Sequence, residues 1–264
     1  MNTDRLITRR TVMSATCVAT VAAMMSPAPT AEAKTDLGRP RVMWQQCVER
    51  ALQCFPTGGG YHTGRNIPPG FRQTAWTGLD RAVRVTATGV CVDPYLATPS
   101  FCSSATYLLL LKSLELYEKT CGVMPPRKEW EYLKPYTVDH RPYPIQNDGV
   151  GAWGRANANG PGMAELAHEL KIGTNLYIGT TGEYANLADR NEMFASIRRY
   201  DFMKIFWNDE IGKDERGHMV VVLGRSSHSN RSRHRVGTVR YWSSNGSHTD
   251  INGGYGIKVE VARW

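Results

Sequence analysis

The spacing of hydrophobic positions predicts a helical first half and a β-rich last third. Val42, Cys47, Val48, Ala51 and Leu52 recur at helical intervals and predict a short helix over 42–54. From Ala105 to Leu116 the chain is apolar nearly all round, through Leu108-Leu109-Leu110-Leu111, as in a helix buried on every side. Pro99 and Ser100 are start signals for that helix, which should begin near Cys102 and run to about Lys119. Gly122 is its natural stop, with Pro125-Pro126 just beyond. Trp76 to Asp80 reads as a helix start, and the alternation of Val83-Arg84-Val85-Thr86-Ala87 as a short strand. Further short helices are predicted over 164–170 and 192–199, and a brief strand at Leu176-Tyr177-Ile178.

The last third carries four strand patterns: Phe202–Trp207, His218–Leu223, Val236–Trp242 and Gly256–Ala262. A charged loop, Asn208 to Gly217, joins the first two; a basic, Ser-rich connector, Arg225 to Arg235, joins the next. Helices first and an antiparallel sheet afterwards predict an α+β fold. Two stretches lack a regular pattern. Phe55 to Gly70 reads as loop, and its glycines do not make a phosphate loop, since no Gly-Lys-Ser/Thr follows and no strand pattern precedes. Residues 122–162 are rich in Pro, Gly and aromatics (Trp130, Tyr132, Tyr136, Tyr143, Trp153), which suits either the wall of a site or an excursion whose rings pack down on the fold.

The N-terminus changes the picture. Arg9-Arg10 precede a modest apolar run from Val12 to Met25; Ser26-Pro27-Ala28-Pro29 breaks it, and Ala31-Glu32-Ala33 has the form of a cleavage site. Paired arginines before a weak core resemble a twin-arginine export signal. Residues 1–33 are therefore expected to be removed, 34–90 to form an N-terminal extension, and 91–264 the main domain with an aromatic insertion at about 122–162. The apolar run is too short and interrupted for a good membrane span. The remaining 231 residues hold 29 basic and 22 acidic side chains, a diffuse excess of +7 that suits an anionic wall polymer better than nucleic acid.

Past the leader there are five cysteines: Cys47, Cys54, Cys91, Cys102 and Cys121. In an oxidising compartment an odd number leaves one thiol free or intermolecular. Cys47 with Cys54 and Cys91 with Cys121 would leave Cys102 over; Cys91 with Cys102 is also open. Cys102 stands where the buried helix begins, and there the helix dipole and free N–H groups favour thiolate. A thiol nucleophile needs an imidazole to take its proton and a polar group to orient that imidazole. Of the seven histidines beyond the leader, only His218 opens a strong strand, immediately after Gly217. Asn245, at the end of the next strand, can accept the imidazole N–H, with Trp242 as a shield; His248 is the second candidate, and Asn245-Gly246 also reads simply as a turn.

The Cys102-Ser103-Ser104 helix start, the Asp201-Phe202 strand and the Gly217-His218 strand ending at Gly224 resemble the papain-like peptidoglycan amidases and peptidases of the NlpC and CHAP types. The likeness lies mainly in 91–118 and 200–245. Phe101 stands where NlpC-type enzymes usually carry Asp, Tyr200 stands where they carry Gly, and the interval of 116 residues from Cys102 to His218 is long. The resemblance implies a papain-like fold, with the nucleophile helix packed on an antiparallel sheet. It also implies a triad of Cys102, His218 and a third polar residue on the next strand, for which Asn245 is the first candidate and His248, a third histidine as NlpC-type enzymes often use, the second; no cofactor or metal; and amide hydrolysis in peptidoglycan peptides outside the cytoplasm. The same residues would serve acyl transfer, and a non-catalytic wall-binding protein could share the fold. A metal site at His168 with Glu165 and Glu169 lacks the second histidine of a zinc helix.

Overall fold

A computed structural model of the chain describes residues 9–14, 38–86, 89–122, 127–135, 152–154, 163, 174–179, 195–206, 217–228 and 236–263. Nine strands and four helices are named among them. They are β1 (Arg9–Ser14), α1 (Gly38–Gln53), β2 (Gly58–His62), α2 (Ala75–Ala82), β3 (Val83–Thr86), β4 (Gly89–Val92), α3 (Cys102–Cys121), α4 (Arg127–Leu133), β5 (Thr174–Gly179), β6 (Phe202–Phe206), β7 (Gly217–His228), β8 (Val236–Asn245) and β9 (Thr249–Arg263). The fold is α+β. Seven strands form one antiparallel sheet in the order β2-β9-β8-β7-β6-β1-β5, and β3 pairs with β4 as a separate ribbon.

Helix α3 packs against α1, β4, β7 and β8. Its all-round apolar surface is used as the sequence implies: Tyr107, Leu108, Leu109 and Leu111 are fully buried. Each such side chain contributes about 1.5–3 kcal/mol on leaving water. Gly122 ends the helix in the left-handed conformation, φ 66°, its N–H bonded to the Glu118 carbonyl. Glu115 ties α3 to β4 from inside: its Oε2 accepts the Val92 N–H at 3.0 Å and Lys112 Nζ at 2.9 Å, while Oε1 meets Lys119.

The sheet sorts its side chains by the strand period of two. Phe202, Met219, Val221 and Trp242 face α3. Met203, Ile205, Val220, Val222, Val239 and Tyr241 form a second cluster on the opposite face.

Several expectations are corrected. The 55–70 stretch contains β2, which pairs with β9 at the sheet edge. Glycines hid this strand, because they carry no alternation to read. Through α1, β2 and α2, described residues of the 34–90 segment share the core of α3: Trp44, Val48, Tyr61 and Leu79 all belong to it. The helix expected over 192–199 is helical only at 195–196 among the described residues, and Tyr200 follows at φ 73°. The Arg225–Arg235 connector begins later than expected, because β7 continues to His228. Trp130 and Trp153 are core residues, 2% and 0% exposed, so at those positions the aromatic segment packs down on the fold. Tyr136, Tyr143 and the 164–170 segment lie outside the described residues. Apart from these corrections, Arg9–Ser14 of the expected leader pairs with both β5 and β6.

Candidate active site

The helix that carries Cys102 starts without a polar cap. Phe101 is the N-cap residue, extended at φ −140° and ψ 172°, and no side chain from it reaches the first turn. Ser100, expected as a cap, is drawn away: its Oγ donates to Ser244 Oγ at 2.7 Å. Its N–H donates to the Gly60 carbonyl at 3.1 Å, and its own carbonyl accepts the His62 N–H at 3.0 Å. Ser104 Oγ accepts the Phe101 N–H at 2.9 Å, the reverse half of a capping box. Phe101 instead fills the core between Trp76 and Trp153, with ring centroids 5.1 and 6.3 Å away.

Cys102, His218 and Asn245 come together at one end of the sheet. The thiol is hydrogen-bonded to the His218 imidazole and receives the Met219 backbone N–H. Burial alone would push the thiol up. The His218 hydrogen bond and charge, the Met219 N–H and the positive charge of Lys204 more than reverse this, bringing the thiol from 9.0 down to about 7. Across the imidazole, His218 Nε2 lies 3.3 Å from Asn245 Oδ1. The Asn245 amide has one orientation open to it, because its Nδ2 donates to the carbonyls of Ser243 at 3.0 Å and Gly256 at 3.2 Å. Oδ1 therefore faces the ring as an acceptor, Nε2 must carry hydrogen, and Nδ1 is left to take the thiol proton.

His248 lies exposed in the β8–β9 turn at φ 47°, its carbonyl accepting the Thr63 N–H at 3.3 Å. The neighbour of the His218 ring is Tyr241, with centroids 5.9 Å apart, rather than Trp242. Strand alternation explains the difference: Trp242 turns to the α3 side and stacks on Tyr255 at 5.7 Å. His168, Glu165 and Glu169 lie outside the described residues. Among the described residues no three His, Cys, Asp or Glu side chains gather closely enough to hold a metal ion, and no helix is long and apolar enough to cross a membrane.

All five cysteines beyond the leader are free thiols in this structure, and neither expected pair is bonded. Cys47 is raised by burial and by Cys121, a neighbour on the facing helix, while Cys54 Sγ sits 3.4 Å from the Arg50 carbonyl.

Two site residues escaped the sequence reading. Tyr61 interacts through its hydroxyl with both the side chain and the backbone N–H of Cys102. Burial and the thiol hold its phenol well above the usual value, so it keeps its proton and can donate. The Gly58-Gly59-Gly60 run delivers it. Gly60 has φ 81°, and a Cβ there would stand 2.1 Å from Phe71 Cζ. Gly246 makes room for Tyr61 from the other side, where a Cβ would stand 2.5 Å from the Tyr61 Cβ. A triple glycine leading into a tyrosine was the available signal. The second is Lys204, half-buried on β6 and paired across the strands with Met219.

No known protein family, curated protein or solved structure matches this chain.

Proposed function

We propose that the chain is an exported cysteine amidohydrolase of papain-like architecture, acting on peptide amides of the cell wall. The observation that carries the reading is the placement of His218 between Cys102 and an Asn245 held in one orientation. That arrangement gives the imidazole one proton to keep, on Nε2, and one nitrogen to act as base.

The chemistry runs in two halves. His218 Nδ1 takes the Cys102 proton, and the sulfur forms a bond to the amide carbonyl carbon. The oxyanion is held by the Cys102 backbone N–H and the Tyr61 hydroxyl, which meet beside the sulfur. The imidazolium then protonates the leaving amine as the C–N bond breaks, leaving a thioester. Water adds to the thioester, giving a proton to His218; the carboxylic acid departs and the thiol is restored.

Export and the wall substrate rest on the arginine-paired leader, the Ala31-Glu32-Ala33 site and the resemblance to peptidoglycan amidases. The deciding experiment is digestion of purified sacculi with the full-length protein, its exported product and Cys102→Ala, with fragments identified by mass. New amino and carboxyl termini with the first two, and none with the variant, are expected. Identical fragments from the variant would overturn the mechanism. An exported product whose first residue is not Lys34 would overturn the leader.

A further inference from the structure

Helix α1 lies along the last turns of α3. The Trp44 and Tyr117 rings meet edge to face with centroids 6.3 Å apart, and Arg50 Nη1 donates to Thr120 Oγ1 at 3.5 Å. Cys47 is three residues from both Trp44 and Arg50, which sets it at the centre of the arc of α1 that these two define. Cys121 is four residues beyond Tyr117 and adjoins Thr120, so it ends the stripe of α3 that meets α1. Cys47 is 1% exposed and Cys121 is more open. Burial, then the Cys121 thiol across the gap, holds Cys47 above the usual thiol value.

The other pairings open to these cysteines do not fit the helices. Cys54 follows Cys47 by seven residues along α1 and its closing turn, about 10 Å of rise, whereas a disulfide joins Cα atoms about 4.4–6.8 Å apart. Cys91 lies against another side of α3. Its neighbour Val92 gives its N–H to Glu115 at 3.0 Å and its carbonyl to Lys112 Nζ at 2.9 Å, so β4 meets the stripe of Lys112, Glu115 and Lys119. Cys121 is two residues past Lys119, about 160° away around the helix axis. The Cys91 sulfur has Arg84 Nη2 beside it at 3.8 Å. Cys102 stands at the opposite end of α3, about 28 Å from Cys121 along the axis.

We propose that Cys47 and Cys121 form an oxidation site, at which exchange with a disulfide donor, small molecule or protein, joins them in a disulfide that fastens α1 to α3. Cys121, the more open of the two, attacks the donor as thiolate; a mixed disulfide forms and one donor thiolate leaves. Cys47 then gives up its proton and attacks the Cys121 sulfur, releasing the second donor thiolate. The two cysteines are oxidised, the donor is reduced, and the two protons lost by the cysteines end on the two donor thiols. The bond closes a loop of chain that contains β2, α2 and the β3–β4 ribbon. None of this depends on Cys102 being a nucleophile.

The probe is oxidised glutathione, applied to the full-length protein. After the remaining thiols are blocked with iodoacetamide, unreduced digestion and mass spectrometry should give two peptides joined through Cys47 and Cys121, with Cys54 and Cys91 alkylated. The thermal midpoint should rise by on the order of 10 °C and fall back on reduction. Cys47→Ala should show no such rise; if that buried substitution prevents folding, Cys121→Ser at the helix end takes its place. Cys102→Ala should form the same bond, which separates this site from the proposed mechanism. Cys121 found alkylated, joined to Cys54 or Cys91, or carrying glutathione while Cys47 stays reduced, overturns the site. A joined pair that leaves the midpoint unchanged overturns the fastening of α1 to α3.

Discussion

Asn245 fixes which nitrogen of His218 is the base. Its Oδ1 stands 3.3 Å from Nε2 while its own amide hydrogens are taken by the carbonyls of Ser243 and Gly256. The relationship is directional, because an amide turned the other way would face those carbonyls with its oxygen and lose both bonds.

Replacing Asn245 with Ala should therefore reduce kcat far more than it raises KM, by roughly 10²-fold. The ring would still reach the thiol but would no longer be held in one tautomer. Steady-state kinetics on the released peptide, with the fold checked by far-ultraviolet circular dichroism, test this; a kcat within a factor of two of wild type would remove Asn245 from the triad.

The thiol pKa gives a pH prediction with a definite sign. Thiolate is the reactive form, and the group is brought down from 9.0 to about 7. The alkylation rate of Cys102 by iodoacetamide should rise with pH, reach half its plateau near 7 and level off above 8. His218→Ala removes the largest of the lowering interactions while burial remains, so its midpoint should move to higher pH. A His218→Ala midpoint at or below that of wild type would contradict the pairing.

Tyr61→Phe should cost on the order of 10²-fold in kcat, the usual loss for one oxyanion donor. Loss of the phenol oxygen should leave the alkylation pH profile with its plateau intact, since His218 and Met219 still hold the sulfur. A variant that hydrolyses at the wild-type rate would assign Tyr61 to packing alone.

Glu115 bears on stability rather than chemistry. Its carboxylate is 2% exposed and joins Lys112, Lys119 and the Val92 N–H. Glu115→Ala leaves a buried N–H and the Lys112 ammonium without that partner, and should lower unfolding free energy by about 3 kcal/mol. Urea denaturation measures it; a loss under about 1 kcal/mol would mean that water replaces the carboxylate.

The legible features of the sequence were those with a strong period. The run from Ala105 to Leu116 specified α3, and the hydrophobic strands after Phe202 specified the centre of the sheet. Cys102, His218 and Asn245 could be paired because each marks an element boundary, where regular elements bring distant residues to one level. Strand β2 was not legible. Its three glycines have no side-chain pattern, and their role, to carry Tyr61 past Phe71 and Thr98, exists only in three dimensions. Trp242 was set on the wrong side of its strand by proximity in sequence, where the period of two would have named Tyr241. Lys204 looked like an ordinary polar break in an apolar strand until the register set it opposite Met219.

The apolar start of α3 has a consequence of its own. A helix that opens on Phe101 forgoes the oxygen acceptor that Ser, Asp or Asn would lend its first turn, about 1 kcal/mol of stability. The Cys102 N–H of that turn meets the Tyr61 hydroxyl from β2 instead. In the proposed reaction the negative oxygen of the tetrahedral intermediate takes that N–H over, capping the helix for the lifetime of the intermediate. The substrate is then, briefly, the N-cap.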